Sequence, residues 1–240
     1  MMGKLLRVIA SIMLLMFIGV GCDKPDEPNN GENNESNDTL VEYAYVDLGL
    51  PSGTLWATCN VGANAPEDCG DYFAWGETTP KEVYDWNSYK YGGIVDGLFA
   101  MSKYCTNPSC GLDGFIDNLT VLEPTDDAAT ANWGVGWRMP TKEEWKELFL
   151  KTTCVWTTQN GVDGRLLTGT NGNSIFLPAT GFRLDGELIC LGLGIYWSKT
   201  LHDHFPERGW SYHFDFESCH VCGTYERSRG QCVRAVRVCQ

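Results

Sequence analysis

The sequence predicts an α+β domain that is rich in loops, with short antiparallel strands and few helices. Three observations favour this class. One segment alone has the apolar spacing of an amphipathic helix, several short apolar runs are separated by turn dipeptides, and a long central stretch shows little periodicity. Residues 41–240 are enough for a single domain with a substantial core.

The first part of this domain is predicted to form strands. Residues 41–50 and 54–61 are strand candidates on either side of the turn at 51–53, and 71–75 is a third. The following stretch, 81–132, holds glycine pairs and Asn-Pro but no sustained period. We therefore expect irregular loops there.

One helix is predicted over 142–150. Thr141 can accept a hydrogen bond at its N-terminus, and Glu144 completes a capping box three residues later. Trp145 and Leu148 then recur at the spacing of one helical face, which predicts that Trp145 lies in the core.

The C-terminal third again has strand patterns. Alternation over 210–217 places aromatic side chains on one face and polar ones, including His213, on the solvent face. The last predicted strand is 232–238, with Arg234 and Arg237 available to pair with carboxylates. Turn dipeptides that separate shorter runs are Asn160-Gly161, Asn171-Gly172 and Asp185-Gly186.

The N-terminus has the pattern of a lipoprotein signal peptide over 1–21. Lys4 and Arg7 precede an apolar run, 8–20, that is shorter than the about 20 residues a transmembrane helix needs. Small residues then precede Cys22, which we predict to carry the lipid. More than one acyl chain is needed for stable anchoring.

Residues 22–40 are predicted to be a disordered acidic tether, because they contain almost no apolar side chains. Asp23, Asp26 and Glu27 resemble the acidic signal that exports some lipoproteins to the outer face of the outer membrane. Thr39, within Asp-Thr-Leu, resembles a bacterial O-glycosylation acceptor. The sequence thus predicts a lipid-anchored outer-membrane protein exposed at the cell surface.

The negative charge of the chain argues against nucleic acids and anionic lipid surfaces as partners. The formal net charge of the chain is −13, and removal of the signal peptide with Lys4 and Arg7 leaves −15. Such a chain repels the phosphates of nucleic acids and anionic lipid surfaces. We expect no nucleic-acid partner and membrane attachment through the lipid alone.

The cysteines suit an exported chain. The sequence has 11, and ten remain without Cys22, an even number that fits disulfides of undetermined connectivity. Cys105 and Cys110 are a candidate local pair. Cys219 and Cys222 are spaced like half a zinc site, but no second half of matching spacing follows, so no metal site is predicted.

The domain resembles the Fibrobacter major paralogous domain family, whose members are mostly surface or secreted proteins of unknown activity. This resemblance implies an irregular C-type-lectin-like fold related to the formylglycine-generating enzymes. The stretches that carry it are YVDLGLPSGTLWATCNVGA (45–63), GDYFAWGET (70–78), LEPTDDAATANWG (122–134), WRMPTKEEW (137–145), NGNSIFLPATGFR (171–183), YWSK (196–199) and VRAVRV (233–238).

Three functions remain open from the sequence. The leading interpretation is a non-enzymatic binding module for a glycan or a protein, with no catalytic residue assigned. Because the related enzymes bind copper through two cysteines, an oxidase that uses Cys219 and Cys222 is the first alternative, although their spacing departs from that pattern. A structural component of a cell-envelope or adhesive assembly is the second.

Acidic residues before the predicted helix are candidates for a cation site. Asp126 and Asp127 are either paired carboxylates or cation ligands, or they form a helix start or turn with solvated acids, and we favour the second interpretation. The stretch 123–125 partly resembles a lectin-type calcium loop, but it has threonine where an amide ligand would serve better. We therefore predict no cofactor and leave a structural calcium ion open.

Loop aromatics are the candidate binding residues. Trp86, Tyr84, Tyr89 and Tyr91 lie in YDWNSYKYGG (84–93) beside hydrogen-bonding side chains. Exposed aromatic rings there would stack on sugars, whereas regular elements use their apolar side chains in the core.

Overall fold

The computed structural model describes residues 43–189 and 191–238, together with the side chains in these ranges except those of 220–222 and 238. The described residues belong to one compact unit, Val41–Gln240. The predicted signal peptide, Cys22 and Thr39 lie outside the described residues, so their roles stay predictions.

Short strands make up most of the regular structure. They are β1 (Tyr45–Asp47), β2 (Thr54–Asn60), β3 (Tyr72–Phe73), β4 (Gly92–Val95), β5 (Leu98–Met101), β6 (Thr153–Gln159), β7 (Val162–Thr168), β8 (Ser174–Pro178), β9 (Phe182–Leu184), β10 (Glu187–Ile189), β11 (Gly194–Leu201), β12 (Arg208–Phe214), β13 (Cys219–Glu226), β14 (Gln231–Cys232) and β15 (Arg234–Val238).

The strands form several small sheets. A five-stranded sheet has the order β13-β12-β11-β14-β3, and two three-stranded sheets have the orders β1-β2-β15 and β6-β7-β8. β4-β5 and β9-β10 are separate hairpins. All pairings are antiparallel except β11 with β14. With two α-helices and long loops in the described residues, this architecture confirms the coarse α+β class.

Strands from the two ends of the domain pair with each other in two of the sheets. β15 pairs with β2, so that Val236 lies opposite Trp56, and β14 pairs with β3, so that Cys232 lies opposite Tyr72. The strands predicted at 54–61 and 71–75 are thus paired with the C-terminal strands β15 and β14.

The predicted helix is confirmed as α2 (Lys142–Lys151), and its capping box is formed in both directions. Thr141 accepts from the backbone N–H of Glu144, and the Glu144 carboxylate accepts from the N–H of Thr141 at 2.8 Å. Arg138 donates to the same carboxylate at 2.5 and 2.7 Å, which fixes the helix entry. In the described part of the chain, no helix has the length and apolar character needed to cross a bilayer.

A second helix, α1 (Ala128–Trp133), begins inside the stretch predicted to be irregular. The same stretch contains the β4-β5 hairpin and the 3-10 turns Pro108–Cys110, Leu112–Gly114 and Pro124–Asp126. The long loop is therefore more ordered than its lack of periodicity suggested.

The predicted turns join strands as expected. Asn160 and Gly161 both have positive φ, 50° and 84°, which is the conformation of a two-residue hairpin between β6 and β7. Asp185 and Gly186 make the same turn between β9 and β10.

Large aromatic side chains fill the core. Trp145 is 1% exposed, as predicted, and stacks on Tyr212 with ring centroids 4.8 Å apart. The Trp56 ring also packs against Trp145, tilted by 56° and with the ring centroids 4.7 Å apart. These contacts pack α2 against the five-stranded sheet and the β1-β2-β15 sheet together.

The alternation over 210–217 is only partly reflected in burial. Tyr212 and Phe214 are fully buried, but Trp210 is half-buried and Phe216 is 68% exposed because β12 ends at Phe214. The sequence predicts that His213 faces the solvent. In the structure His213 is half-buried, with its ring 6.2 Å from that of Tyr225.

Contrary to the sequence prediction, the two arginines of β15 form no ion pair with a carboxylate among the described residues. Arg234 is completely buried and donates to Asn60 Oδ1 at 2.8 Å and to backbone carbonyls of three further residues. The Arg237 guanidinium lies over the rings of Tyr45 and Trp137, at 4.9 and 5.5 Å. Because Arg234 satisfies its donors on two sheets, it fastens β15 to β2 and β8.

Candidate functional site

Two of the predicted binding aromatics are core residues. Tyr84 and Tyr89 are 1% and 5% exposed. The Tyr89 hydroxyl donates to the carbonyl of Trp75 at 2.7 Å, and the Tyr84 hydroxyl donates to that of Tyr72 at 2.5 Å. Neither ring is free to stack on a ligand, because each one attaches the 81–93 loop to β3 and the residues after it.

The other two are partly exposed but also have structural contacts. Trp86 is half-buried, with its ring 5.4 Å from Tyr89 and 5.2 Å from Phe99. The Tyr91 hydroxyl donates to Asp126, and burial together with this hydrogen bond raises the pKa of Tyr91. The predicted loop thus contributes mainly support, with part of Trp86 left at the surface.

Beside this loop lies a cleft of about 450 Å³, which we call the Arg183 cleft. Its volume is in the range of pockets that hold small ligands. It is formed where β3, the start of the 81–93 loop and the β9-β10 hairpin meet, and its lining residues are Gly70, Asp71, Tyr72, Pro80, Lys81, Glu82, Tyr84, Arg183 and Gly186.

Two tyrosines make the floor of the Arg183 cleft rigid. Tyr72 donates its hydroxyl hydrogen to the carbonyl of Thr180 at 2.6 Å. Tyr84 accepts from the N–H of Lys81 at 3.1 Å in addition to its bond with Tyr72, and its ring packs on the backbone of Gly230. Burial raises the pKa of Tyr72 and of Tyr84, so both hydroxyls stay protonated.

A side chain at Gly230 would collide with that packing. A Cβ there would come within 2.8 Å of the Tyr84 ring. The backbone of Gly230 also exchanges two hydrogen bonds with Arg183, at 2.8 and 3.0 Å. These contacts hold the β9 strand, and with it Arg183, in a fixed position against the tyrosine floor.

Charged groups of both signs line the rim of the cleft. The Arg183 guanidinium lies over the Tyr72 ring at 5.2 Å. Lys81 is neutralised by Glu77 at 2.9 Å. By contrast, Asp71, Glu82 and Arg183 form no ion pair with any other described residue, and all three are at least partly exposed.

This composition can bind a polar, uncharged ligand. The carboxylates accept hydrogen bonds, and the guanidinium donates several in one plane. The sequence analysis did not single out Asp71, Glu82 or Arg183. Their residue types are ordinary on a surface, and only the fold brings positions 71–84 and 183–186 together.

The acidic stretch before α1 forms structural contacts. The Glu123 carboxylate pairs with Lys103 Nζ at 2.5 Å, and Asp127 caps α1 by accepting from two of its N–H groups. The favoured interpretation of Asp127 as a helix start is therefore correct, but Asp126 and Asp127 are buried and not solvated as expected. In the described residues, no group of three or more His, Cys, Asp or Glu side chains is placed to hold a metal ion.

The structure also places the cysteines. Cys105 and Cys110, the candidate local pair, are both free thiols, and the Cys105 thiol donates to the carbonyl of Asn107 at 3.1 Å. Cys219 lies against Cys154, with 3.2 Å between their sulfur atoms. The side chain of Cys222 is outside the description. Cys154 was missed because no local spacing connects it with Cys219.

No protein-family model, curated protein or solved structure matches this chain.

Proposed function

We propose that this chain is a surface-anchored lipoprotein whose domain is a non-enzymatic binding module, with the Arg183 cleft as its ligand site. One observation carries the proposal: two carboxylates and a guanidinium without ion-pair partners among the described residues surround a floor whose tyrosines are fixed by hydrogen bonds. A rigid, partly apolar cleft with a few convergent polar groups is the usual form of a small-molecule site.

The ligand class that fits best is a short neutral glycan. Neighbouring sugar hydroxyls can donate to Asp71 and Glu82 and accept from Arg183. The net charge of −13 disfavours sulfated or phosphorylated polymers. A lipid on Cys22 would anchor the chain to the membrane.

We also infer membership of the Fibrobacter major paralogous domain family and a C-type-lectin-like fold. The stretches that carry the resemblance coincide with paired elements. Residues 45–63 contain β1 and β2, 70–78 contain β3, 137–145 lead into α2, and 233–238 contain β15. Their arrangement as small sheets joined by ordered loops supports this assignment.

The alternatives gain less support. An oxidase site would use Cys219 with Cys222, but the Cys219 sulfur faces Cys154. No observed contact favours an assembly component. We therefore put forward binding as the single function.

Glycan binding is tested with the purified full-length chain in detergent on an array of neutral and anionic oligosaccharides. We expect retention of a neutral class. Arg183→Ala and Asp71→Asn should each weaken that binding by roughly tenfold or more, the effect of losing a good polar contact.

Arg237→Ala is the matched control, because Arg237 also stacks on a tyrosine ring but lies outside the cleft lining. It should bind like the unmodified chain. Absence of any retained glycan would refute glycan recognition, and equal loss in the control and the cleft variants would refute the assignment of the site.

A further inference from the structure

Cys154 and Cys219 meet at the seam between two sheets. Cys154 lies in β6 of the β6-β7-β8 sheet, and Cys219 begins β13 of the five-stranded sheet. Their sulfur atoms are 3.2 Å apart, about 1 Å more than a disulfide bond. A small rotation of either side chain would bring the sulfurs to bonding distance.

The same seam has few other connections, and they support the alignment of the two cysteines. Arg165 of β7 donates to the carbonyls of Asp215 and Phe216 at 2.8 and 3.3 Å, and its other terminal nitrogen lies 3.8 Å from the Cys154 sulfur. The ring of Trp156 lies 6.3 Å from that of Phe214. β6 and β7 are thus held against the end of β12 and the turn that leads into Cys219.

The two thiols also differ in chemistry. A hydrogen bond with Cys154 lowers the pKa of the Cys219 thiol to about 7, against the opposing effect of burial, and Tyr212 and Arg165 lower it further. The same hydrogen bond, together with burial, raises the pKa of Cys154. Near neutral pH, Cys219 therefore supplies the nucleophilic thiolate and Cys154 the resolving thiol.

We propose that Cys154 and Cys219 are joined by a disulfide bond in the mature protein, formed by exchange with the disulfide of an external thiol oxidant. Both cysteines are partly exposed, whereas Cys105 and Cys232 are buried, so an oxidant can reach this pair. The bond ties the β6-β7-β8 sheet covalently to the five-stranded sheet across 65 positions of the chain.

The exchange is balanced in two steps. The Cys219 thiolate attacks one sulfur of the oxidant, forming a mixed disulfide and releasing the other oxidant sulfur as a thiolate. Cys154 then loses its proton and attacks the Cys219 sulfur, which breaks the mixed disulfide and releases the second oxidant thiolate. The two protein thiols lose two electrons and two protons, and the oxidant disulfide becomes two thiols.

Peptide mapping tests the bond directly. The full-length chain is purified reduced, exposed to oxidised glutathione, alkylated and digested with trypsin. Cleavage after Lys151 and Arg165 releases a peptide with Cys154 as its single cysteine, whereas cleavage after Arg208 and Arg227 releases one with both Cys219 and Cys222. Because the second peptide contains two cysteines, fragment ions must show which of them is bonded to Cys154. We expect a Cys154–Cys219 link, and a link to Cys222 or no link from Cys154 would overturn the proposal.

Thermal unfolding gives a second readout. Since the bond closes a long loop, reducing the oxidised chain should lower its Tm by roughly 5–15 °C. The Cys154→Ser/Cys219→Ser variant should lose most of this response, whereas Cys105→Ser/Cys110→Ser should keep it. An equal response to reductant in the unmodified chain and in the first variant would contradict the assignment, while glycan binding is measured separately and does not depend on it.

Discussion

Asp126 and Asp127 are consecutive in the chain, yet their carboxylates bind two separate sets of partners. Asp126 accepts from the Tyr104 hydroxyl at 2.7 Å and pairs with Lys103 at 2.6 Å. Asp127 caps α1 and accepts from the N–H of Met139 at 3.0 Å. The two acids therefore connect α1 in opposite directions, one to the loop before it and the other to the segment that enters α2.

Asp127→Ala should destabilise the domain by about 2–4 kcal/mol, because it removes a helix cap and leaves the buried Met139 N–H without its acceptor. Urea unfolding followed by tryptophan fluorescence measures the change. Glu187→Ala, on the exposed edge strand β10, is the control and should change stability by less than about 0.5 kcal/mol. Equal effects of the two substitutions would show that Asp127 has no special role.

Acid should weaken the structure through Glu144 and Asp126. Burial alone would raise the pKa of each carboxyl, but hydrogen bonds from Arg138 to Glu144 and from Lys103 to Asp126 outweigh it and leave both pKa values below their ordinary 4.5 and 3.8. The stability they contribute is therefore complete above about pH 4.5 and is lost as the pH falls through the lowered pKa values.

Glu144→Gln separates this effect from general acid unfolding. The amide can still accept from Thr141, so the variant keeps the cap but loses the charge paired with Arg138. We expect it to be about 1–2 kcal/mol less stable at pH 7 and to lose less stability than the unmodified chain between pH 7 and pH 3. The exposed neighbour Glu143→Gln should follow the unmodified chain, and a matching pH response of both variants would contradict the assignment.

Trp86→Ala distinguishes the loop aromatics from the Arg183 cleft. It should cost about 1–2 kcal/mol of stability, since Trp86 packs on Tyr89 and Phe99 without being fully buried. Glycan affinity should change by less than about twofold, because Trp86 does not line the cleft. Phe216→Ala, at an exposed aromatic, is the stability control. A loss of binding as large as that of Arg183→Ala would move the site to the loop.

Cys22→Ser should release the protein from membranes or leave the uncleaved precursor, because it removes the thiol that we propose accepts the lipid. Fractionation and metabolic labelling with a fatty acid measure both outcomes. Unchanged acylation and membrane partition would show that the anchor lies elsewhere.

Surface exposure is checked on intact cells. Added protease should remove the domain, and protection until the outer membrane is breached would place it in the periplasm instead. Intact-mass measurement of the same material shows whether Thr39 carries a sugar, and an unmodified mass would exclude the predicted glycosylation.

Local patterns predicted α2 and the hairpin turns well, for a physical reason. A capping box depends on Thr141 and Glu144, three positions apart, and the β6-β7 turn depends on Asn160-Gly161 alone. Such contacts are determined by neighbours in sequence and are little changed by the rest of the fold.

The site depends on contacts that no local pattern contains. Arg183 reaches Tyr72 and Cys154 reaches Cys219 because of sheet packing. The sequence predicts a carboxylate partner for Arg234, but the structure gives it mainly backbone carbonyls. A buried arginine with such partners has no sequence signature. Tyr84 and Tyr89 are core residues and not the surface aromatics that the sequence predicts. Their burial depends on packing against β3 and the residues after it, which the loop sequence does not reveal.

The pairing of β2 with β15 and of β3 with β14 constrains the order of biosynthesis. A chain that leaves a ribosome or an export channel with its N-terminus first presents β2 and β3 long before their partners exist. The edges that β15 and β14 occupy on these strands stay open until residues 231–238 have emerged, which favours late completion of the fold. A chain truncated before Gln231 is left with exposed strand edges that favour degradation or aggregation.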